Sequence, residues 1–212
     1  MSISVLFRLS GVSLLLGGLL GGLAVAFHPS NMVDPVNVPV HLALYTAVML
    51  IALGLPGLYA RQADHAGTLG LAGLVALFMG LVFGDPIHSV LEFTVVPVLA
   101  QSAAGPRLLD GGPPGLMGPL MVAIPILLIG LLTTAITSFR AGVLPRWPAV
   151  VAVAAVFLVP VGFALSGRGP NAAAIFNVGP ALVYLSMAAW GYVLIADSLG
   201  SAVVRRTVVA PA

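Results

Sequence analysis

A histidine and two carboxylates lie close together in the stretch FGDPIHSVLEF, residues 83–93. They are Asp85, His88 and Glu92, in a chain that has only six carboxylates and four histidines. On a helix their spacing of i, i+3 and i+7 places all three side chains on one face. Neutral imidazole and carboxylate oxygen both ligate zinc, iron or copper at physiological pH. The stretch therefore predicts a site for a metal ion or a metal-containing cofactor, and it names no reaction.

Several other kinds of site are excluded by the sequence. The chain has no cysteine, which excludes disulfides, thiolate metal sites and cysteine nucleophiles. It has no lysine, so a Schiff-base pigment has no attachment point. Neither HExxH, a Walker motif nor a GxGxxG fingerprint is present. A net charge of +2 gives no reason to expect nucleic acid as a partner. Whether the protein is an enzyme stays open.

The chain is too apolar to cover a surface that faces water. Hydrophobic residues make up 60% of it and charged residues 7%, whereas soluble domains are about a quarter charged. The lipid bilayer is therefore its expected surrounding, and apolar runs of about 20 residues are read as spans. The sequence predicts one all-α transmembrane domain over residues 1–212, a polytopic helical bundle of about six spans. These spans are 7–27, 38–60, 67–84, 116–139, 147–166 and 173–196.

The arginines predict how the bundle is oriented, because positive charge favours the cytoplasmic side. With the N-terminus inside, only Arg107 and Arg168 lie outside. The other six, all cytoplasmic, are Arg8, Arg61, Arg140, Arg146, Arg205 and Arg206. The protein is thus expected in the bacterial cytoplasmic membrane with both termini cytoplasmic.

An extra short helix is expected after the third span. Residues 67–100 as a single helix would be about 50 Å long, against a hydrocarbon core of about 30 Å. A break is therefore predicted at Gly84-Asp85-Pro86, with the new helix lying within 85–104. Asp85 suits its N-cap and Pro86 its first helical position.

With this orientation further candidate ligands lie on the outer side of the membrane, as does Asp110. His41 begins the second span and supplies a ligand from a separate helix, as a rigid site requires. The predicted metal ligands are His41, His88 and Glu92, with His28, Asp34 or Asp85 as additional candidates.

The same residues leave the cofactor and the chemistry open. A haem held by two imidazoles would need His41 and His88. If the site is catalytic, Glu92 is the candidate base for metal-activated water. In the competing interpretation Asp85 caps a helix, Glu92 pairs with Arg107, and both histidines satisfy hydrogen bonds at the membrane interface.

Two other functions draw on different features. The motif GGLLGG contains the pairs Gly17/Gly21 and Gly18/Gly22, which let helices approach closely. They fit packing within the bundle or a contact face for another subunit or a second copy. The latter indicates a non-catalytic accessory subunit of a larger membrane complex. A small-molecule transporter is a third option, motivated by proline-interrupted spans.

Three stretches carry a resemblance to a family. They are VPVHLALYTAVMLIALGLPGLYARQADHAGTLGLAG, LEFTVVPVLA and RAGVLPRWPAVVAVAAV. Together they resemble a loose group of uncharacterised bacterial multi-pass membrane proteins. The resemblance implies a helical bundle with boundaries near Arg61 and Arg146, and it implies no activity and no residue role.

Overall fold

The computed structural model describes residues 3–29, 31–109, 117–165 and 172–209, and all regular structure in these ranges is helical. This confirms the prediction of an all-helical chain with several long apolar helices. Asp110 and Arg168 lie outside the described residues. The helices are α1 (Ile3–Ala26), α2 (Asn37–Val90), α3 (Val96–Ala100), α4 (Gly105–Leu109), α5 (Met117–Ala141), α6 (Trp147–Leu165) and α7 (Ala172–Val209). A π-helical turn, Leu91–Val95, joins α2 to α3.

Helix α2 folds back on itself at Gly67. The backbone there has φ 59° and ψ −160°, a conformation that glycine adopts without a steric cost. His41 and His88 are 47 positions apart, about 70 Å along a straight helix, yet their ring centroids are 4.9 Å apart. Therefore α2 consists of two antiparallel arms, the first arm (37–66) and the second arm (68–90).

Within the described ranges five helices are long and apolar enough to cross a membrane, and one of them is the folded α2 with its continuation to Ala100. Large apolar side chains cover their outer faces; Leu53 and Val98, for example, are each 70% exposed. Such an exterior is unfavourable in water and favourable in lipid, so it indicates a membrane protein.

The predicted break at Gly84-Asp85-Pro86 is wrong. Helix α2 continues through these residues, and the helical path runs on through the π-helical turn and α3 to Ala100. Asp85 is therefore no N-cap; its carboxylate accepts a hydrogen bond from the Tyr184 hydroxyl of α7. Pro86 costs the helix one backbone hydrogen bond, which a packed membrane helix tolerates. The short helices that follow the third apolar run are α3 and α4.

Close helix contacts organise the bundle. Helix α1 packs against the first arm of α2 and against α7, α5 packs on the second arm, and α6 packs on α7. A Cβ at Gly17 would lie 2.7 Å from the Ala47 carbonyl oxygen, and one at Gly18 would lie 2.3 Å from the Ala188 nitrogen. The GGLLGG face is therefore covered by α2 and α7 of the same chain.

Polar side-chain contacts join the helices at the end of the bundle where α2 folds back at Gly67. Arg61 Nε and Nη2 donate to the two carboxylate oxygens of Asp197 at 2.6 and 3.1 Å, which joins α2 to α7. The Ser138 hydroxyl donates to Gln62 Oε1 at 2.7 Å, which joins α5 to α2. The opposite end of the bundle holds His41 and the residues around it.

Candidate metal site

Three imidazoles from separate parts of the chain meet at that end. His28 follows α1, His41 lies in the first turns of α2, and His88 lies in its last turn. The ring centroid of His41 is 4.9 Å from those of both His28 and His88. One ring nitrogen from each residue lies within 4.8 Å of those of the other two. These residues, the histidine cluster (His28, His41, His88), can hold a metal ion.

His41 is the most deeply placed member, with 1% of its surface exposed. Its Nδ1 donates to the Asn37 carbonyl oxygen at 2.9 Å, which leaves Nε2 with a free lone pair. That Nε2 is buried and has no hydrogen-bond partner within the described part of the chain. A buried polar atom left unpaired costs about 1–3 kcal/mol. A metal ion bound at Nε2 would remove this cost.

The other two rings also have a partner for one nitrogen. His28 Nδ1 donates to the Pro29 carbonyl oxygen at 3.0 Å. His88 Nε2 lies 3.6 Å from Glu92 Oε1. Metal-binding histidines almost always direct their second nitrogen to a carbonyl or carboxylate, which fixes the tautomer and the ring orientation. The arrangement leaves Nε2 of His28, Nε2 of His41 and Nδ1 of His88 for an ion.

Glu92 and Asn37 link two of these rings. Glu92 is 2% exposed, and its Oε2 accepts a hydrogen bond from Asn37 Nδ2 at 3.0 Å. Asn37 thus contacts His41 through its backbone and Glu92 through its side chain. Glu92 lies in the π-helical turn, where the Val96 N–H bonds to the Leu91 carbonyl. Such turns occur frequently at functional sites.

His28 is in the form that binds metals. Burial lowers the pKa of its imidazole below the ordinary value of 6.5, and the neighbouring His88 lowers it further. Both effects disfavour a positive charge on the ring. His28 is therefore neutral near pH 7, with a lone pair available for an ion.

The distances suit a single ion better than a haem. Zinc–nitrogen bonds of about 2.0–2.1 Å in a tetrahedral site put ligand nitrogens about 3.3 Å apart. The nitrogens now lie at most 4.8 Å apart, so the three rings would need to move closer by at most about 1.5 Å to bind one ion. A haem would need its flat macrocycle between His41 and His88, whereas these two rings touch edge to face at 4.9 Å and His28 packs 4.9 Å from His41. These residues do not fit a bis-imidazole haem.

A cavity of about 330 Å³ adjoins the histidine cluster. His28 and His88 line it together with Asn37 and Glu92. Asp85 and its hydrogen-bond donor, the Tyr184 hydroxyl, line it too. Most of the remaining wall is apolar. An ion held by three imidazoles would keep its fourth position for water or a ligand from this cavity.

The other candidate ligands have different contacts. Asp34 Oδ1 accepts the Val36 N–H at 2.8 Å and shapes the turn before α2. Asp85 lies one turn before His88 and binds the Tyr184 hydroxyl. Glu92 is directed to Asn37 and His88 in place of the Arg107 partner of the competing interpretation.

Sequence reasoning missed Asn37 and Tyr184. Asn37 lies four residues before His41, and a polar residue on that helical face was a usable signal. Tyr184 lies inside an apolar run 99 positions from its partner Asp85. Nothing in the sequence connects these two residues.

Comparisons of the chain with protein-family models, with curated proteins and with solved structures find no match, so the geometry of the site carries the functional argument.

Proposed function

We propose that this chain is an integral membrane protein that binds a divalent transition-metal ion, zinc or copper, through the histidine cluster. The observation that carries the proposal is the buried Nε2 of His41, which meets two more imidazoles and has no hydrogen-bond partner among the described residues. Three imidazoles are a ligand set suited to zinc and copper. The second nitrogen of each ring faces an oxygen of the protein, from Asn37, Pro29 and Glu92 respectively for His41, His28 and His88.

The proposal places the site on the outer face of the bacterial cytoplasmic membrane. The proposal counts the two arms of α2 as separate crossings, six in all, and an even number of crossings returns the C-terminus to the side of the N-terminus. The arginine distribution favours the cytoplasm for that side. Because the chain has no cysteine, single-cysteine labelling tests this cleanly. We expect a membrane-impermeant thiol reagent to label Ser102→Cys and to spare Asp64→Cys, and the reverse pattern would invert the orientation.

A metal ion in such a site would act as a Lewis acid with one coordination position open to a ligand. A bound divalent ion lowers the pKa of its water and polarises an oxygen ligand. The protein's own part is to hold three rings in orientation and to shape the cavity next to them. Glu92 would orient His88 in this arrangement rather than act as a base, because Asn37 and His88 both contact its carboxylate.

Metal titration of the purified protein tests the proposal. After a chelator wash in detergent, wild type should bind one Zn²⁺ or Cu²⁺ per chain, and His41→Ala should lose most of that affinity. His65→Ala is the matched control, since His65 is exposed near the fold of α2, at the far end of the bundle. Wild type that binds no metal, or His41→Ala that binds as tightly as His65→Ala, would contradict the proposal. The accessory-subunit interpretation would then be preferred, although its glycine face is buried inside the chain.

A further inference from the structure

The cavity beside the histidine cluster has a polar end and an apolar body. Its polar residues include His28, His88 and Glu92 near the end of the bundle, with Asp85 one turn deeper. Leu81 lies seven residues before His88, about 10 Å further along the second arm, and it lines the same cavity with Leu44 and Leu127. The cavity is therefore amphipathic along its length.

Helix packing explains why the space exists. Helix α5 rests on the second arm of α2, where Gly80 would place a Cβ 2.4 Å from the Leu127 backbone. Helix α6 rests on α7, where Gly179 would place one 2.6 Å from the Val159 backbone. Across the described ranges α5 and α7 do not contact each other. The cavity lies between these two tightly packed pairs.

The cavity opens toward lipid. Met121 of α5 and Phe163 of α6 both line it and are 54% and 40% exposed, so the cavity reaches the surface of the bundle beside these two apolar side chains. Met121 lies three residues and Phe163 two residues from the end of an apolar span. This opening is thus at the edge of the hydrocarbon layer, where lipid head groups meet their first methylenes.

We propose that the cavity binds one hydrocarbon chain of a membrane amphiphile, whose head group presents an oxygen to the histidine cluster. The contact between head group and metal rests on the proposed function; the binding of the chain rests on the cavity alone. An apolar pocket of this volume with a few convergent polar groups is typical of small-molecule sites. An amphiphile matches both the polar end and the apolar body of the cavity, and it can enter from the bilayer without passing through water.

The head group meets more than the ion. The Asp85 carboxylate and the Tyr184 hydroxyl lie in the wall at the boundary between the polar and apolar parts. Tyr184 is buried, and its ring fills the space beside Gly21 of α1. This pair is therefore rigid, and it favours an amphiphile whose head group offers a hydrogen-bond donor or acceptor.

Photocrosslinking with diazirine-bearing palmitic acid and diazirine-bearing hexadecanol tests the inference. We expect wild type to be labelled on the cavity-facing sides of α5, α6 and α7. Ile124→Trp fills the cavity and should reduce labelling roughly tenfold, a loss of about 1.4 kcal/mol of binding free energy. Ile129→Trp is the matched control, because Ile129 is on the same helix and 62% exposed to the outside. Met121→Trp narrows the opening at an exposed position and serves if Ile124→Trp fails to fold.

The metal titration, run on the same samples, separates this inference from the proposed function. Labelling that Ile124→Trp or Met121→Trp reduces, in a protein that binds no metal, supports the cavity inference and refutes the metal site. Equal labelling in Ile129→Trp and both cavity variants, or labelling spread over all outer faces, overturns the cavity inference whatever the metal result. If palmitic acid labels wild type more strongly than hexadecanol, the site prefers a charged head group. If the two probes label it equally, a neutral oxygen is sufficient.

Discussion

Replacement of Glu92 by glutamine should weaken metal binding by about 10- to 100-fold. Glu92→Gln keeps the size of the side chain and an oxygen that can accept from Asn37, and it removes the negative charge 3.6 Å from His88 Nε2. Glutamine's amide N–H groups cannot accept the proton of that nitrogen. The ring then loses the group that fixes its tautomer and orientation.

The structure gives an independent estimate of the size of this effect. An ion on His88 Nδ1 would lie about 7 Å from the nearer carboxylate oxygen, from the 3.6 Å contact, the width of the ring and a metal–nitrogen bond of about 2.0 Å. A divalent ion and a carboxylate at that distance attract each other by about 1 kcal/mol in water and about 5 kcal/mol at an effective dielectric constant of 20. A loss of 10- to 100-fold corresponds to about 1.4–2.7 kcal/mol, which lies between these limits.

Competition with a chromophoric chelator measures the affinity, and Asp197→Asn is the matched control. It makes the same acid-to-amide change at the far end of the bundle, where Asp197 binds Arg61. We expect its zinc affinity to equal that of wild type. A Glu92→Gln protein that is folded and binds zinc like Asp197→Asn would refute the role assigned to the carboxylate.

Three further predictions concern pH, a buried hydrogen bond and helix packing. Burial lowers the pKa of His28 below 6.5 in the folded state, so the unfolded chain takes up the proton first as pH falls. The stability of the metal-free protein should therefore fall as pH drops from about 7 through 6.5. Thermal unfolding should show this dependence of stability on pH in wild type and a weaker dependence in His28→Ala. Tyr184→Phe removes the donor to a carboxylate on α2 and should cost about 1–3 kcal/mol, measured by denaturant unfolding in detergent, whereas Tyr192→Phe, at a position 60% exposed, should be neutral. Gly18→Ala places a Cβ 2.3 Å from an α7 backbone nitrogen and should lower the yield of folded protein, whereas Gly22→Ala, whose nearest contact is 3.4 Å, should be tolerated; equal yields would contradict the packing described for α1.

The apolar runs predicted most of the helical segments, because a span of about 20 apolar residues has one stable backbone conformation in lipid. The path near Asp85 was not predictable in the same way. Asp-Pro is a good local signal for a helix start. Here the Asp85 carboxylate accepts a hydrogen bond from a tyrosine on α7, and the helix continues through Asp85. A contact between helices therefore outweighed the local preference for a helix start.

The candidate site was predictable in part for a physical reason. His41 and His88 flank a fold of the chain, so any antiparallel pairing of the two arms brings them to the same end. The sequence did not specify which side chains meet there. The contacts of Asn37 with both His41 and Glu92 depend on the rotation of each helix about its axis. A short sequence pattern does not fix that rotation.

X-ray absorption at the metal edge of the zinc-loaded protein tests the central claim most directly, because it counts the ligands of the ion. The histidine cluster predicts three imidazole nitrogens at about 2.0–2.1 Å and one oxygen, and His41→Ala should lose one imidazole from that shell while His65→Ala keeps all three. A shell of oxygen ligands alone, or one whose imidazole count is the same in His41→Ala and wild type, would contradict the claim.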